Sequence, residues 1–201
     1  MSDASEETVR PGRPAAASRE QAFDYAVGMY LRGRRIDLSV LASELGVGRT
    51  TVHRWFGTRE DLIVDILGFT SVALLMEVRG RVQAEGPQGL LETFDRFNHE
   101  LLEVPALTTF MANERDPMEY IVRADRGHQP MLVEAIGGMI QDEIDAGRFQ
   151  APVDSETMAY AIVRLAQSFL YADSATGIRG DLERLRRIEA VLLGLKIHEP
   201  E

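Results

Sequence analysis

The sequence contains no cysteine, and that one absence excludes disulfides, thiolate-ligated zinc and a thiol nucleophile together. It also suits a reducing compartment. No run of about 18 apolar residues occurs, so no segment is expected to span a membrane. The opening MSDASEETVRPGRP has no apolar stretch and carries three acids in its first nine residues. It is not expected to be a secretory leader, and a cytoplasmic location is the expectation. Alternating apolar–polar runs of strand length are missing, as are low-complexity tracts and internal repeats. Helical periodicity is what remains, and it predicts an all-α fold.

The chain has 201 residues, 45% of them hydrophobic and 27% charged, enough for one sizeable core or a small module fused to a larger one. Its net charge of −10 argues against a nucleic-acid partner until its distribution is read. Residues 10–59 hold nine arginines against four acids, a net of +5, whereas residues 60–201 carry −12. A basic segment ahead of an acidic body is the asymmetry expected when one end meets phosphate and the other stays off it.

Residues 1–17 are small, polar and proline-rich, and are expected to form a flexible basic arm. From Ser18, a capping residue, Ala22, Tyr25, Ala26, Met29 and Tyr30 recur at helical spacing until Gly33. Short helices fit residues 38–45, capped by Asp37, and 49–56. Thr58, answered by Asp61, caps a long helix whose apolar face runs through Leu62, Ile63, Ile66, Leu67 and Phe69. Turn residues divide the remainder: Gly86-Pro87, Pro105, Asp116-Pro117, and the stretch from Gly127 to Pro130. Helices are predicted over residues 131–146, 155–172 and 181–195.

Residues 37–56 carry the most information. Two helices crossing steeply need a small residue at their contact, and Ala42 supplies it. The turn between them needs a residue that tolerates positive φ, and Gly46 stands there. Leu41, Leu45, Val47 and Val52 then share an apolar core. Arg49, Thr50, Thr51, His53 and Arg54 are left facing outward, a set suited to bases and phosphates in a major groove. The competing reading is a helical hairpin with a basic face and no DNA role. A partial dinucleotide-binding match at Gly46-Val-Gly48 fails, because Thr51 occupies the third glycine position and no strand precedes it.

Residues 46–62, GVGRTTVHRWFGTREDL, closely resemble the recognition-helix signature of the TetR family. That signature runs Gly-Val-Ser-x-x-Thr-hydrophobic-Tyr-x-His-Phe, then a turn, Lys, Glu and Leu. The motif resemblance covers residues 18–67; the later resemblance is in helical order and length, and the C-terminal half is similar to the QsdR-like branch, whose members regulate quorum-signal degradation. Gly48 replaces the family's serine cap, His53 its tyrosine, Trp55 its histidine and Arg59 its lysine. These departures bear on the operator sequence, and a histidine at position 53 brings a charge that varies with pH.

The resemblance implies a helix-turn-helix domain over residues 18–66 and an effector-binding and dimerisation domain over 67–201. The protein is then a transcriptional regulator, a repressor by family default, that binds double-stranded palindromic operator DNA. Arg49, Thr50 and Thr51 are expected to read bases, and Ser39, His53, Arg54 and Arg59 to hold phosphates. Arg10-Pro-Gly-Arg13-Pro resembles the core of an AT-hook, which lays arginine into a narrow minor groove; a solubilising basic tail is the equal alternative.

The resemblance also implies a homodimer whose last two helices form a four-helix bundle about a twofold axis. Their apolar faces, Met158, Ile162, Leu165 and Phe169, then Leu182, Leu185, Ile188, Val191, Leu192 and Leu195, are broader than one partner needs. Between the two regions lie Phe94, Phe97, Phe110, Met111, Met118, Tyr120, Met131 and Met139. Methionine often lines pliable pockets. Asn98, Asn113, Arg123, Arg164, Gln167 and Tyr171 are the polar groups available to orient a ligand. The expected effector is a small neutral or amphipathic molecule, such as an acyl-chain or lactone compound. No cofactor, metal or catalytic residue is expected.

Two other classes compete. A ferritin-like helical metalloenzyme needs Glu-x-x-His pairs, and no histidine here follows a glutamate at that spacing. Asp95/His99 and Asp125/His128 are lone pairs expected to be solvated. A purely architectural DNA binder would have little use for so much helical chain behind the motif.

Overall fold

The computed structural model describes residues 17–123, 125–171 and 181–196. Those residues form ten helices and no strand. Of the first three, α1 (Arg19–Leu31) and α3 (Arg49–Phe56) pack on α4 (Arg59–Arg81), and α2 (Leu38–Glu44) packs on α1 and α3. Around the rest of α4 lie α5 (Gly86–Glu103), α7 (Pro117–Ile121) and α8 (His128–Asp145), while α6 (Pro105–Asn113) packs on α5 and α1. α9 (Ser155–Leu170) covers α8, and α10 (Leu182–Leu192) packs on α5 and α9. The family-implied boundary at residues 66/67 thus falls inside one continuous helix.

The helix starts follow from side-chain capping of otherwise unmet backbone donors. Ser18 Oγ accepts from the Gln21 N–H at 3.2 Å, and the Gln21 side chain returns the bond to the Ser18 N–H at 2.9 Å. Thr58 and Asp61 form the same reciprocal box, at 3.1 and 2.9 Å. Asp37 accepts from the N–H groups of Ser39 and Val40.

Three expectations change. Asp116-Pro117 opens the short helix α7 rather than only breaking the chain. Helix α8 begins at His128, three residues before the predicted start, because Pro130 falls in the first turn, where its missing N–H has no intrahelical partner to lose. Phe69, assigned to the buried face of α4, is exposed; it packs edge-on against Phe23 of α1 at a ring separation of 5.5 Å. Gly127, the cap of α8, has φ +78°, and a Cβ there would run into the Val64 carbonyl. The glycine lets the start of α8 lie directly against α4.

Glu143 of α8 is buried and fully satisfied. It accepts from Arg79 at 2.9 Å, Arg148 at 2.6 Å and the Gly86 N–H at 2.9 Å. Arg148 foremost, with the Gly86 N–H, holds its carboxyl below the ordinary range against the opposing pull of burial. The residue therefore clips α4, α5 and α8 together. Glu143→Ala strands two guanidinium groups and one N–H; because both arginines reach solvent, the expected loss is about 2–3 kcal/mol, measured as a lower urea midpoint.

Candidate nucleic-acid interface and effector cavity

The turn between α2 and α3 is set by Gly46, whose φ is +65°, and by the Val47 N–H, which closes onto the Ala42 carbonyl at 3.0 Å. Leu41, Ala42 and Val52 are buried between the helices, while Leu45 and Val47 are half-buried beside them. Phe56 anchors the end of α3 in the core, and the Arg19 guanidinium lies 5.4 Å from its ring centre. With α3 held this way, Arg49, Thr50, His53 and Arg54 are exposed, and Thr51 and Ser39 half-exposed. His53 Nδ1 lies 3.1 Å from the Gly57 carbonyl at the helix end. Arg10 and Arg13 lie outside the described residues.

Arg59, expected on phosphate, is engaged within the protein. Its Nε donates to the Ile36 carbonyl at 2.7 Å, and its terminal nitrogens donate to both Glu114 oxygens at 3.2 and 2.5 Å. With its side chain 20% exposed, the guanidinium ties the start of α4 to the end of α6. The Glu114 carboxyl is held below its ordinary range chiefly by this bond. The same end of α4 is gripped twice more, by Arg123 on Asp61 at 3.0 Å and by Arg126, bidentate on Asp65. Arg123 also pairs with Asp125. It is thus a bridge to the helix-turn-helix end rather than a pocket group.

Of the thirteen residues expected to surround one ligand, five line one space, two line another and six line neither. Phe94, Phe97, Asn98, Gln167 and Tyr171 line an internal cavity of about 20 Å³ between α5, α8, α9 and α10, together with His128 and Glu189. Phe110 and Asn113 instead line a more open crevice of about 420 Å³ at the junction of α1, α4 and α6, beside Arg34, Arg35 and Arg59. Tyr120 stacks edge-on against Phe110 at 5.5 Å. Met111, Met118 and Met131 are half-buried and border neither space; Met131 packs toward Gly68. Arg164 is exposed and donates to Gln129 at 3.2 Å and Gln167 at 3.0 Å, so it supports the wall from outside. Gln167 in turn donates to the Ile121 carbonyl at 3.0 Å.

Neither His128 nor Glu189 was expected at this cavity, and His128 was expected to be solvated. Both are buried. A signal for each exists: Glu189 interrupts the apolar row Leu182, Leu185, Leu192, and His128 precedes Leu132 and Ile136 at four-residue spacing. Burial pushes the Glu189 carboxyl up to about 8, with help from nearby Asp95 and against the Asn98 hydrogen bond. Burial pushes His128 down to about 4, opposed by its bond to the Ile121 carbonyl. Both groups are therefore neutral near pH 7. Among the described residues, no cluster of three His, Asp or Glu side chains is placed to hold a metal, and no helix is long and apolar enough to cross a membrane.

These features define an all-α protein with an N-terminal helix-turn-helix and a helical C-terminal domain. Residues 85–194 match the family model described as the tetracyclin repressor-like C-terminal domain. The chain belongs to the TetR family of transcriptional regulators. Its fold is similar to the solved structure of the R. erythropolis transcriptional repressor QsdR, with TM-score 0.84 and 24% identity over 91% of this chain and 97% of that one. A second similar structure is the Thermus thermophilus FadR repressor, solved in complex with lauroyl-CoA. Its TM-score is 0.55 and its identity 17%, over 92% and 98% of the two chains. Comparison with curated protein sequences finds no match.

Proposed function

We propose that this regulator is a repressor that binds a palindromic operator as a homodimer and is released by a small-molecule effector. The observation that supports it most is α3 itself. It is a rigidly seated helix whose outer face is Arg49, Thr50, His53 and Arg54, with no apolar side chain that would need a protein cover. Each protomer lays α3 in a major groove, with half-sites about one helical turn apart. Tyr160 of α9 and Ile188 and Val191 of α10 are 52%, 38% and 59% exposed, which supports pairing of these helices across a twofold axis. The R. erythropolis protein is a repressor, and the shared fold favours the same sign of regulation.

Release runs through the chain between α6 and α8. Ile121, whose carbonyl accepts from Gln167, and His128, which lines the cavity, bracket that segment, and between them Arg123 and Arg126 grip Asp61 and Asp65. A ligand that parts α5 from α8 and α9 pulls on this segment, and through it on the first turns of α4 and the reading head. The effector must bind the released arrangement more tightly, by the same factor as it weakens operator binding.

The test is a gel shift on the protein's own promoter across a salt series. Arg49→Ala is expected to lose about 1–3 kcal/mol on the operator while leaving non-specific binding nearly unchanged. Arg54→Ala should weaken all sequences alike and flatten the salt slope. Equal, sequence-independent losses for both would refute the assignment of base reading to Arg49.

A further inference from the structure

Among the described residues of the C-terminal domain, three buried polar atoms have no hydrogen-bond partner: His128 Nδ1, the Tyr171 hydroxyl and Glu189 Oε2. All three side chains line the same internal cavity. Buried polar groups are nearly always paired, so three orphans on side chains that line one space mark a candidate site for a polar ligand group.

The protonation of each group fixes what it offers. The Asn98 amide donates to Glu189 Oε1 at 3.3 Å. A neutral carboxyl then carries its proton on Oε2 and presents a donor. A neutral His128 ring carries one hydrogen; with it on Nε2, toward the Ile121 carbonyl, Nδ1 is an acceptor. The Tyr171 hydroxyl serves either way. No lysine or arginine is among the described residues lining the cavity, so an anion brought there would lose its hydration with nothing to replace it.

We propose that this cavity receives the head of an uncharged ligand that both accepts and donates a hydrogen bond, a carboxamide being the simplest such group, carried on an apolar tail. Carboxylates and phosphate-bearing thioesters are turned away. The carbonyl oxygen accepts from Glu189 and Tyr171, and the N–H donates to His128. The proposal rests on the effector reading above and sharpens it to a ligand class. At about 20 Å³ the cavity has room for about one water-sized group as it stands, so the carboxamide enters only as the helices part. The tail is accommodated by separating Phe94 and Phe97 of α5 from Leu132, Ile136 and Ile162 of α8 and α9, and this separation is the movement that release requires.

Glu189 also gives the site a pH dependence. The charged and titratable groups facing it are Asp95 of α5, which is paired with Arg186 at 3.5 Å and with exposed His99 at 3.5 Å, His128 of α8, and Tyr171 at the end of α9. Tyr171 is pushed further above its ordinary range by burial. Between pH 7 and 9, Glu189 is the group at the cavity that changes charge, and its loss of a proton removes the donor.

The experiment is calorimetric titration of the full-length protein with straight-chain carboxamides of six to twelve carbons and the matching carboxylates. At pH 7 the best amide should bind about 10–100-fold more tightly than its carboxylate, the discrimination expected of a buried site that is left unpaired or charged by the wrong partner. Amide affinity should fall about tenfold by pH 9.5, and Glu189→Gln should flatten that profile while still binding amide. Carboxylates binding as tightly as amides, a flat wild-type profile, or no amide binding by a protein that still shifts its operator would each overturn the proposal. Amide binding with the stated preference but no effect on the operator would leave the ligand class standing and instead remove the release mechanism.

Discussion

Replacing Ile188 and Val191 together by glutamate is expected to make the protein monomeric in sedimentation and to lower operator affinity about 10²–10⁴-fold, the avidity lost when two linked reading heads become one. Both side chains lie on the outer face of α10, three residues apart, and Tyr160 extends the apolar patch onto α9. The inner face of α10 is separately occupied, with Leu185, Glu189 and Ala190 buried in the protomer, so the two substitutions leave the protomer core untouched. Circular dichroism should show unchanged helix content per residue. The added negative charge also repels DNA, so the paired change to glutamine serves as the control. It should dissociate the dimer nearly as well, without the extra electrostatic penalty. A double variant that sediments as the wild type does would move the twofold contact to another surface. A monomeric wild type with full operator affinity would remove the need for one.

How legible each feature was depended on how local its cause is. Asp37, Ala42, Gly46 and the Thr58–Asp61 box specify α2, α3 and the start of α4 through contacts three to five residues apart, and the observed helices follow those expectations within a residue. The all-α class followed from periodicity in the same way. Arg59 is different. Its type and its place at a helix start fit a phosphate contact, but what occupies its guanidinium is Glu114, 55 residues away. No pattern in the sequence pairs those two, since a lone arginine and a lone glutamate recur throughout a chain this charged. The ligand-binding set divided for a related reason. Phe94 and Phe110 look alike as aromatic residues in helical runs, yet Val104 and Pro105 end one helix and start another, sending the two rings to different spaces. Glu189 was legible in principle, as an acid in an otherwise apolar row. A row of leucines with one acid is also what an ordinary surface helix shows, and only the packing of α5 and α9 over that face separates the two.

Glu189→Gln is expected to stabilise the protein by about 3 kcal/mol at pH 7, a rise in melting temperature of about 6–12 °C for a chain of this size. The carboxyl titrates near its ordinary 4.5 in the unfolded chain and near 8 when folded. Between those values the unfolded state sheds a proton that the folded state keeps, so wild-type stability falls as pH rises through the window, by about 1.4 kcal/mol per unit at most. Below pH 4.5 the carboxyl is neutral in both states and the variant gains nothing; above pH 8 it is ionised in both and the gain levels off. Glutamine keeps the oxygen that accepts from Asn98, and its amide cannot ionise, so the difference between the two proteins isolates this one titration. His128, whose folded value is pushed down to about 4, acts in the opposite sense. It lowers stability as pH falls from about 6.5 toward 4, where the unfolded imidazole gains a proton that the folded one refuses. Because both proteins contain His128, its contribution cancels in the comparison. Thermal melts of wild type and variant at pH 5, 7 and 9 should therefore converge at the acid end and separate toward the alkaline one. Equal melting temperatures at pH 7, or a variant less stable than wild type there, would mean that the folded carboxyl is ionised and compensated. The cavity would then present an acceptor in place of a donor, and its ligand would have to be a cation.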